Sequence, residues 1–316
     1  MRVAAGPLAL LLCLAAVPAE DLVFPAEAQV IDVTTFGAVG DGRADDTAAL
    51  QAAIQKTGLI YLPAGIYRIT APLKVPPREG SAPARRIVQG AGTARSIIRV
   101  DDSCPAFADP GKPAPVFQIS WGVAQAFRNG IRDLTIDVGS GNPGAIGCAF
   151  MASNQGGMHR VALRAGPGSG AIGLNLAIGD NGPLLLNDLD IEGFAVGIAT
   201  KYGQSMTLEH LRIRGARIGV RIEHSAIFIR GLDAEASEVA VQASQHTTLS
   251  LLDSRLRAPV GVRPAGGIVL LRDIDAAGCA TPVEDGPEQS PIAVWSTAAD
   301  RLPGDAPAVG RLAVAE

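Results

Sequence analysis

The chain has 316 residues and a formal net charge of -4, from 27 basic and 31 acidic side chains. That balance lacks the basic surface expected of a nucleic-acid-binding protein, and we predict no nucleic-acid partner. Its 37 glycines and its low charged fraction of 18% favour a sheet-rich protein with many tight turns.

Residues 1–19 have the pattern of a secretory signal peptide. Arg2 supplies the positive charge, residues 8–16 are apolar, and a small-residue cleavage site ends at Ala19. A lipoprotein anchor is disfavoured because Cys13 does not follow a small residue. We therefore expect a secreted or periplasmic protein. Since no later apolar run is long enough to span a bilayer, we expect no membrane partner.

Three cysteines remain after removal of this segment: Cys104, Cys148 and Cys279. None has the CxxC spacing of a thiolate metal site. Two alternatives remain: one disulfide between two of these cysteines, or three buried free thiols. The sequence does not select a pair.

The stretch "FGAVGDGRADDTAALQAAI" at 36–54 carries Asp41, Asp45 and Asp46 before an apolar run. Asp45 is predicted as the N-cap of a short helix, with Asp46 adding negative charge to the first turn. A capping role, rather than a metal site, is therefore our interpretation of these aspartates.

The run "GAVGDGRADDTAALQAAIQKTGLIYLPAGIYRIT" at 37–70 resembles the N-terminal signature of the pectate-lyase-like superfamily, which includes rhamnogalacturonase and epimerase-like members. The resemblance implies an all-β fold: a single-stranded right-handed parallel β-helix (a solenoid) with a short N-terminal capping helix. It also implies action on a polysaccharide.

A repeat behind this signature supports the solenoid. Equivalent positions, apolar in every coil except that of Ser254, recur every 20 to 28 residues, at Leu134, Val161, Leu189, Leu211, Leu232, Ser254 and Ile274. A second apolar column lies two residues further on, as inward-facing strand positions should. A leucine-rich-repeat solenoid is disfavoured because its asparagine-bearing pattern is absent.

Charges alternate in sign in the outward columns of the same alignment. One column is Asp137, Arg164, Glu192, Arg214, Glu235 and Arg257, and the other is Asp190, Arg212, Asp233, Arg255 and Asp275. Because parallel neighbours lie about 4.8 Å apart, we predict two ladders of ion pairs that fix the strand register.

A second strand in each coil supplies the inward column Cys148, Leu174, Ile198, Val220, Val241 and Val262, and polar residues follow it. We predict that this polar edge binds a sugar chain through hydrogen-bonding side chains and through the ring of Tyr202. The candidate substrate-binding residues are Gln155, Asn154, Asn181, Lys201, Tyr202, Gln204, Ser205 and His224.

Glu223 and Asp180 are the candidate catalytic carboxylates. Coils two apart are separated by about 9.6 Å, which is compatible with inverting glycoside hydrolysis. Structural interpretations stand beside this one: Glu223 as a surface ion pair with Lys201, and Asn154, Asp180 and Asn181 as turn residues. We predict no metal and no cofactor, because the histidines lack carboxylates at metal-ligand spacing.

The stretch at 131–166, with "DLDIEGFAVGI" at 188–198, is similar to the N-terminal β-helix of the exo-β-1,3-glucanase branch of glycoside hydrolases. The resemblance implies that Gln155 holds substrate and that a second β-helix supplies the general acid. No second coil pattern follows. We predict a β-helix at 20–280 and a Pro/Ala-rich tail or truncated linker at 281–316.

The resulting expectation is an exported glycoside hydrolase relative that acts on a β-glucan or a pectin-like polymer by inverting hydrolysis. A non-catalytic carbohydrate-binding or structural β-helix is the main alternative, because the domain with the general acid is missing. A polysaccharide lyase is a further alternative. A homodimer or a partner β-helix could complete the cleft.

Overall fold

The computed structural model describes residues 22–75, 85–119, 126–179 and 181–298. Its strands stack in successive coils, and the pairings are parallel except for that of the last strand. The apolar side chains fill the inside of the coils as one continuous core. This is the predicted parallel β-helix. The predicted signal peptide at 1–19 lies outside the described residues.

The first coils contain short strands, 3-10 helices and an α-helix. The 3-10 helices are Ala26–Ala28, Val33–Phe36 and Pro105–Phe107, and the helix α1 is Thr47–Ile54. The strands are β1 Ile31–Asp32, β2 Asp41–Asp45, β3 Gly58–Leu62, β4 Gly65–Ile69, β5 Leu73–Lys74, β6 Arg86–Gly90, β7 Ser96–Val100 and β8 Ala114–Ile119.

The later coils contain longer strands, and the longest ones bend around the whole coil. These strands are β9 Gly130–Asp137, β10 Ala145–Phe150, β11 Gly156–Arg164, β12 Ile172–Leu176, β13 Leu184–Glu192, β14 Val196–Lys201, β15 Met206–Glu223, β16 Ala226–Ala243, β17 Thr248–Arg263, β18 Ile268–Val283 and β19 Ile292–Ser296.

Each coil has three faces. Face 1 contains residues 156–159 and 184–187, face 2 contains 161–164 and 189–192, and face 3 contains 172–176 and 196–201. Between faces 1 and 2 the chain bends at one residue per coil with φ between 47° and 70°. These residues are Asp133, Arg160, Asp188, His210, Gly231, Asp253 and Asp273. This left-handed residue turns the strand without ending the ladder of parallel strands.

The predicted inward columns are confirmed. On face 2, Val161 pairs with Leu134 and Leu189, and Leu211 pairs with Leu189 and Leu232. On face 3, the predicted column from Cys148 to Val262 pairs in register, and its members are fully buried. Spacing in the sequence predicted this register because one buried side chain per coil must point into the core.

The helix α1 begins at Thr47, one residue later than the predicted N-cap implies, and Asp46 occupies the N-cap position. The carboxylate of Asp45 still accepts the Thr47 N–H at 3.0 Å, and the hydrogen bond from the Thr47 hydroxyl lowers the pKa of Asp45. Asp46 is buried and accepts the N–H groups of Val39 and Gly40. It therefore holds the preceding turn. Within the described ranges, no helix is long and apolar enough to cross a membrane.

The two charge ladders occur in the predicted register. Asp190 pairs with Arg212, Arg212 with Asp233, and Asp233 with Arg255. Arg255 lies 3.1 Å from its direct neighbour Asp275. Other short ion pairs run diagonally from one column to the other, because an arginine side chain can reach past its direct neighbour. The Nη2 atom of Arg164 lies 2.5 Å from Asp190 but its Nε atom lies 3.7 Å from Glu192.

Arg214 repeats this diagonal geometry further along the ladders. Its guanidinium contacts the carboxylate and the carbonyl oxygen of Asp233, and Arg257 contacts the same carboxylate at 3.0 Å. Partial burial raises the pKa of Asp233 and the two guanidinium groups lower it, with a net shift downward. Asp233 is therefore an anion shared by two arginines from different coils.

We expect Arg214→Glu to lower the free energy of unfolding by about 1 kcal/mol or more, because it removes the Asp233 contacts and adds a third carboxylate beside Glu192 and Asp233. Urea denaturation of both proteins measures the change. The control is Arg43→Glu, which makes the same charge change at an exposed side chain without an ion pair among the described residues. Equal midpoints for wild type and Arg214→Glu would contradict a stabilising ladder.

The segment after residue 280 differs from the predicted tail. β18 continues to Val283, and β19 at Ile292–Ser296 pairs with β18 in the antiparallel direction. The sequence did not predict this strand for two reasons. The segment is rich in Pro and Ala, and β19 does not belong to the coil repeat, so no other coil could be aligned with it. Residues 299–316 lie outside the described residues.

The three cysteines Cys104, Cys148 and Cys279 form no disulfide. Cys104 and Cys148 are buried, and Cys279 is half-buried. Complete burial raises the pKa of the Cys148 thiol, so this residue is a small apolar core group.

Candidate functional site

The polar edge is the set of turns that lead from face 3 back to face 1, at residues 151–155, 177–183, 201–205, 223–225 and 244–247. Residue 180 is outside the described part of this edge. The predicted separation between Asp180 and Glu223 therefore stays a prediction.

A groove with a volume of about 910 Å³ lies where the polar edge meets face 1. It brings together three of the predicted residues, Asn154, Gln155 and Ser205. The lining also includes the cations Arg85 and Arg128, the hydroxyl of Thr207, and the apolar side chains Phe127, Pro183, Leu184 and Leu185. Leu185 is 48% exposed, which makes it an apolar floor open to solvent.

Two consecutive residues at this groove have unusual backbone conformations. Asn154 has φ 47° and Gln155 has φ 77°, and both side chains are exposed. Neither side chain makes a hydrogen bond to a described residue. A non-glycine residue in the left-handed region is strained by roughly 1 kcal/mol. The same conformation recurs at Arg85, Arg128 and Ser205, so it belongs to the repeated turn of the coil. The chain thus holds free amide groups outward at a cost in stability.

A recess of about 310 Å³ continues the groove along face 1. It shares Gln155 and Leu185 with the groove and adds His159 and Asn187. The groove and the recess together form a continuous surface from the polar edge to the bend between faces 1 and 2.

Glu223 lies at the end of face 3 beside two cations. Its Oε2 atom is 3.4 Å from the Nζ atom of Lys201, which occupies the matching position of the preceding coil. Its Oε1 atom is 3.8 Å from the Nε atom of Arg221. The carboxylate is about one-third exposed, so water reaches it. The predicted contact between Lys201 and Glu223 is therefore present, in the form of an ion pair.

Three rings from successive coils lie in a row next to this ion pair, the first two tilted and the last two stacked. Tyr202 lies 5.4 Å from His224, and His224 lies 5.2 Å from His246, measured between ring centroids. The ammonium group of Lys201 lies 5.3 Å from the centre of the Tyr202 ring. Tyr202 is 54% exposed, so its ring has a solvent-facing surface on which a sugar could stack.

Asn181 differs from the exposed amides because it is completely buried. Its Nδ2 atom donates to the carbonyl groups of Phe150 and Leu176, and its Oδ1 atom accepts the N–H of Ala152. These bonds hold the turn and leave the side chain out of reach of a ligand on the surface. The sequence interpretation of Asn181 as a turn residue agrees with this placement, and its assignment to substrate binding does not.

Gln204 is exposed, but it is not part of the groove lining, and its N–H donates to the carbonyl oxygen of Asn181. His224 is also exposed and outside the groove. The candidate residues therefore fall into two neighbouring groups: Asn154, Gln155 and Ser205 in the groove, and Lys201, Tyr202, Glu223 and His224 beside it.

A second titratable cluster occupies the bend between faces 1 and 2. Asp188 lies 3.6 Å from His159 and 3.4 Å from His210, and Arg160 makes a bidentate contact with Asp133. The hydrogen bond to Asp133 raises the pKa of Arg160. The alignment of the coils with one another missed this cluster, because its members occupy the bend rather than a strand column.

No group of three potential metal ligands occurs in the described ranges. The donors at the groove are amides, hydroxyls and guanidinium groups, which suit hydrogen bonding to a polar organic ligand better than metal coordination.

Arg85 and Arg128 are groove residues that sequence reasoning missed. Strand pairing places Ile87, Gly130 and Gly157 in register, so Arg85 and Arg128 precede face 1 by the same two residues as Gln155. Arg128 precedes Leu134 by the same six residues by which Gln155 precedes Val161, so the alignment could have found it. Arg85 lies in an earlier coil that the alignment did not reach.

The strand pairing and the continuous core define the class of parallel β-helix proteins. The sequence matches the family model "Rhamnogalacturonase A/epimerase, pectate lyase-like" over residues 30–243. The chain belongs to this family.

Two relatives match shorter parts of the chain. Mannuronan C5-epimerase AlgE3 of Azotobacter vinelandii is 41% identical over 78 residues, which cover 22% of this chain and 4% of that protein. The pre-neck appendage protein of Bacillus phage B103 is 32% identical over 75 residues, which cover 24% of this chain and 8% of that protein. The matches thus span a small part of the relatives' own lengths.

Solved structures share the fold at low sequence identity. An iota-carrageenase in complex with iota-carrageenan fragments has a TM-score of 0.56 at 15% identity, covering 77% of this chain and 58% of that chain. The enzymatically active domain of bacteriophage CBA120 tailspike protein 2 has a TM-score of 0.55 at 13% identity, covering 80% of this chain and 45% of that chain. These likenesses support the parallel β-helix fold.

Proposed function

We propose that the protein is an exported polysaccharide-acting β-helix that binds its substrate along the groove. The carrying observation is the free, outward-held amide pair Asn154 and Gln155 in a groove that also contains Ser205 and the apolar floor of Leu185. Amides and hydroxyls match the hydroxyl groups of a sugar, and an exposed apolar side chain matches the C–H face of its ring.

Family membership supports the same proposal. The relatives and structural neighbours include epimerases named for mannuronan, a carrageenase and phage tailspikes. The exo-β-1,3-glucanase resemblance, in which Gln155 holds substrate, supports a glycoside hydrolase, and the signal-like segment at 1–19 supports export. A homodimer or a partner β-helix that completes the groove is part of the proposal.

Hydrolysis is the leading reaction within this proposal, with Glu223 and Asp180 as the carboxylates. A non-catalytic binding protein is the second candidate, and the surroundings of Glu223 favour it. A general acid usually lies in an apolar setting that keeps its proton, whereas Glu223 has Lys201 and Arg221 within 4 Å and is open to water. A lyase is the third candidate.

The groove is tested by Gln155→Gly. Glycine accepts the left-handed backbone without strain, so we expect the free energy of unfolding not to fall, while binding of a cognate oligosaccharide weakens about fivefold or more through the lost amide. Calorimetric titration against laminarin, polygalacturonate and rhamnogalacturonan oligomers measures binding. Ala265→Gly is the matched control, because it relieves a left-handed residue with φ 35° outside the groove. Unchanged binding in Gln155→Gly would place the glycan elsewhere.

The reaction is tested by measuring the release of reducing sugar from the same three oligosaccharides. Loss of release in Glu223→Gln or Asp180→Asn supports cleavage of the glycan on this β-helix with that carboxylate taking part. Glu238→Gln is the control, since Glu238 is an exposed glutamate paired with Arg217 at the other end of face 3. Binding without release from any substrate favours the non-catalytic candidate.

A further inference from the structure

Face 1 has an apolar patch that extends well beyond the groove. By strand register, this face also contains residues 206–209, 227–230, 249–252 and 269–272, and residues 294–296 of β19. Nine large apolar side chains are exposed in the described ranges, and four of them lie on this face: Leu185, Phe228, Ile268 and Val294. Exposed apolar side chains that cluster in this way mark an interaction surface.

Two outward columns of side chains cover the patch. Column A is uncharged and contains Leu185, Thr207, Phe228, Ser250 and Leu270. Column B contains Asn187, Glu209, Arg230, Leu252, Arg272 and Val294. Face 1 therefore lacks the alternating charge ladders that cover face 2.

Two charges of column B are left without a good partner in their own chain. Glu209 makes no hydrogen bond or ion pair with a described residue, because its register neighbour Arg230 contacts Asp253 at 2.9 Å instead. The Nε atom of Arg272 is buried without a hydrogen bond to a described residue, and it lies 3.5 Å from the carboxylate of Asp273. Glu209 and Arg272 are three coils apart, or about 14 Å along the stack, so they do not meet within one chain.

A second copy of the chain can bring these two charges together. A two-fold axis parallel to the strands of face 1, between the coils of Phe228 and Ser250, reverses the order of the coils and keeps each position along the strand. Glu209 then faces Arg272 of the partner subunit, and Arg272 faces Glu209 of the partner subunit. The same axis places Phe228 about one coil spacing, 4.8 Å, from Phe228 of the partner subunit. One symmetry operation thus pairs both charges and covers the apolar centre of the patch.

A two-fold axis parallel to the stack of coils does not achieve this. It keeps the order of the coils and reverses the direction of the strands, so that Glu209 would face Ser205 of the partner subunit, and Arg272 would face Ile268 of the partner subunit. Burial of a charge against an apolar side chain is unfavourable. The charge pattern therefore selects the pairing in which the two stacks run in opposite directions.

We propose that the protein forms a two-fold homodimer through face 1, with the two stacks of coils in opposite directions, Phe228 at the centre and a Glu209–Arg272 ion pair on each side. This inference rests on the homodimer named in the proposed function and specifies its interface. In this arrangement Val294 of the partner subunit faces Asn187, beside the floor residue Leu185. The second copy therefore closes one end of the groove and leaves Gln155 open.

The size of the interface sets the strength of the dimer. Six coils and about five residues per strand cover about 29 by 17 Å, which is about 500 Å² per copy and about 1,000 Å² in total. An area of this size is typical of weak, reversible complexes, so we expect a dissociation constant in the micromolar range.

The test is sedimentation velocity of the full chain from about 1 to about 200 µM, where a reversible dimer appears as a rise in sedimentation coefficient with concentration. Phe228→Ser should weaken dimerisation about tenfold or more, because it removes the ring at the centre of the interface. Ile66→Ser is the matched control: Ile66 is also an exposed apolar residue in a strand, but it belongs to face 2. This variant should dimerise like wild type.

Charge reversal tests the ion pairs and the direction of the stacks. Glu209→Arg and Arg272→Glu should each weaken dimerisation about tenfold or more, because each homodimer then contains two contacts between like charges. An equimolar mixture of the two variants should dimerise within about threefold of wild type, because both contacts of the mixed dimer again join opposite charges. Damage to the fold of either variant would not be repaired by mixing.

Two results would overturn the inference. A folded chain that stays monomeric at the highest concentration rejects a second copy as the occupant of the patch and leaves it to a different partner. A dimer in which mixing does not rescue the charge reversals rejects the pairing of Glu209 with Arg272. Calorimetric titration with the oligosaccharides of the proposed function is a separate measurement. A monomer that binds glycan retains that function without this interface, and a dimer that binds none retains the interface alone.

Discussion

Gly193→Ala is expected to lower the free energy of unfolding by about 3 kcal/mol or more, from steric overlap and backbone strain together. Gly193 follows face 2 and has φ 88°. A Cβ atom at this position would lie 2.2 Å from the carbonyl oxygen of Ala165 in the preceding coil. Because that oxygen belongs to the backbone, relief requires the two coils to separate. Urea denaturation monitored by circular dichroism measures the loss.

Gly215→Ala is the matched control, one coil further on. Gly215 also has a left-handed backbone, with φ 66°, but a Cβ atom added there would have its nearest neighbours 3.7 Å and 3.8 Å away. We expect only the conformational cost of about 1 kcal/mol there. Equal losses in the two variants would show that the close approach of the coils at Gly193 is not important for stability.

Asn181→Ala is expected to lower the free energy of unfolding by about 3 kcal/mol. The substitution leaves the carbonyl groups of Phe150 and Leu176 and the N–H of Ala152 without this partner inside the protein. Each buried polar group that loses its hydrogen bond costs about 1 to 3 kcal/mol, and relaxation recovers part of the sum. Thermal and urea denaturation measure the change.

Gln204→Ala is the control for Asn181→Ala, because the exposed side chain of Gln204 makes no hydrogen bond with the described residues. The free energy of unfolding of Gln204→Ala should differ from that of wild type by no more than about 0.5 kcal/mol. Glycan affinity of folded Asn181→Ala should equal that of wild type. A stable Asn181→Ala protein with weakened glycan binding would restore Asn181 to the substrate-binding group.

The strand register could be predicted from the sequence because burial acts on every coil in the same way. Columns such as the one from Cys148 to Val262 need one apolar side chain per coil, and a shift of one residue would turn that side chain to solvent. The charge columns followed from the same alignment. Their diagonal contacts did not, because the reach of an arginine rotamer is not encoded in residue spacing.

Parts of the candidate site were also predictable. Asn154, Gln155 and Ser205 were found because they follow a recognisable strand in equivalent turns. Asn181 was placed in the same group because the sequence does not distinguish a buried amide from an exposed one in a turn. Arg85 was missed because the first coils have short strands and irregular spacing, so that it is aligned with Gln155 only through the pairing of β6 with β9 and of β9 with β11.

The antiparallel strand β19 has a consequence for assembly. A stack of parallel coils ends in a row of unpaired backbone N–H and C=O groups, which can recruit an identical stack and grow into a fibre. β19 pairs with Leu270, Leu271, Arg272 and Ile274 of the last coil in the opposite direction. A second copy of the parallel repeat therefore finds that part of the edge already occupied by the short reversed strand.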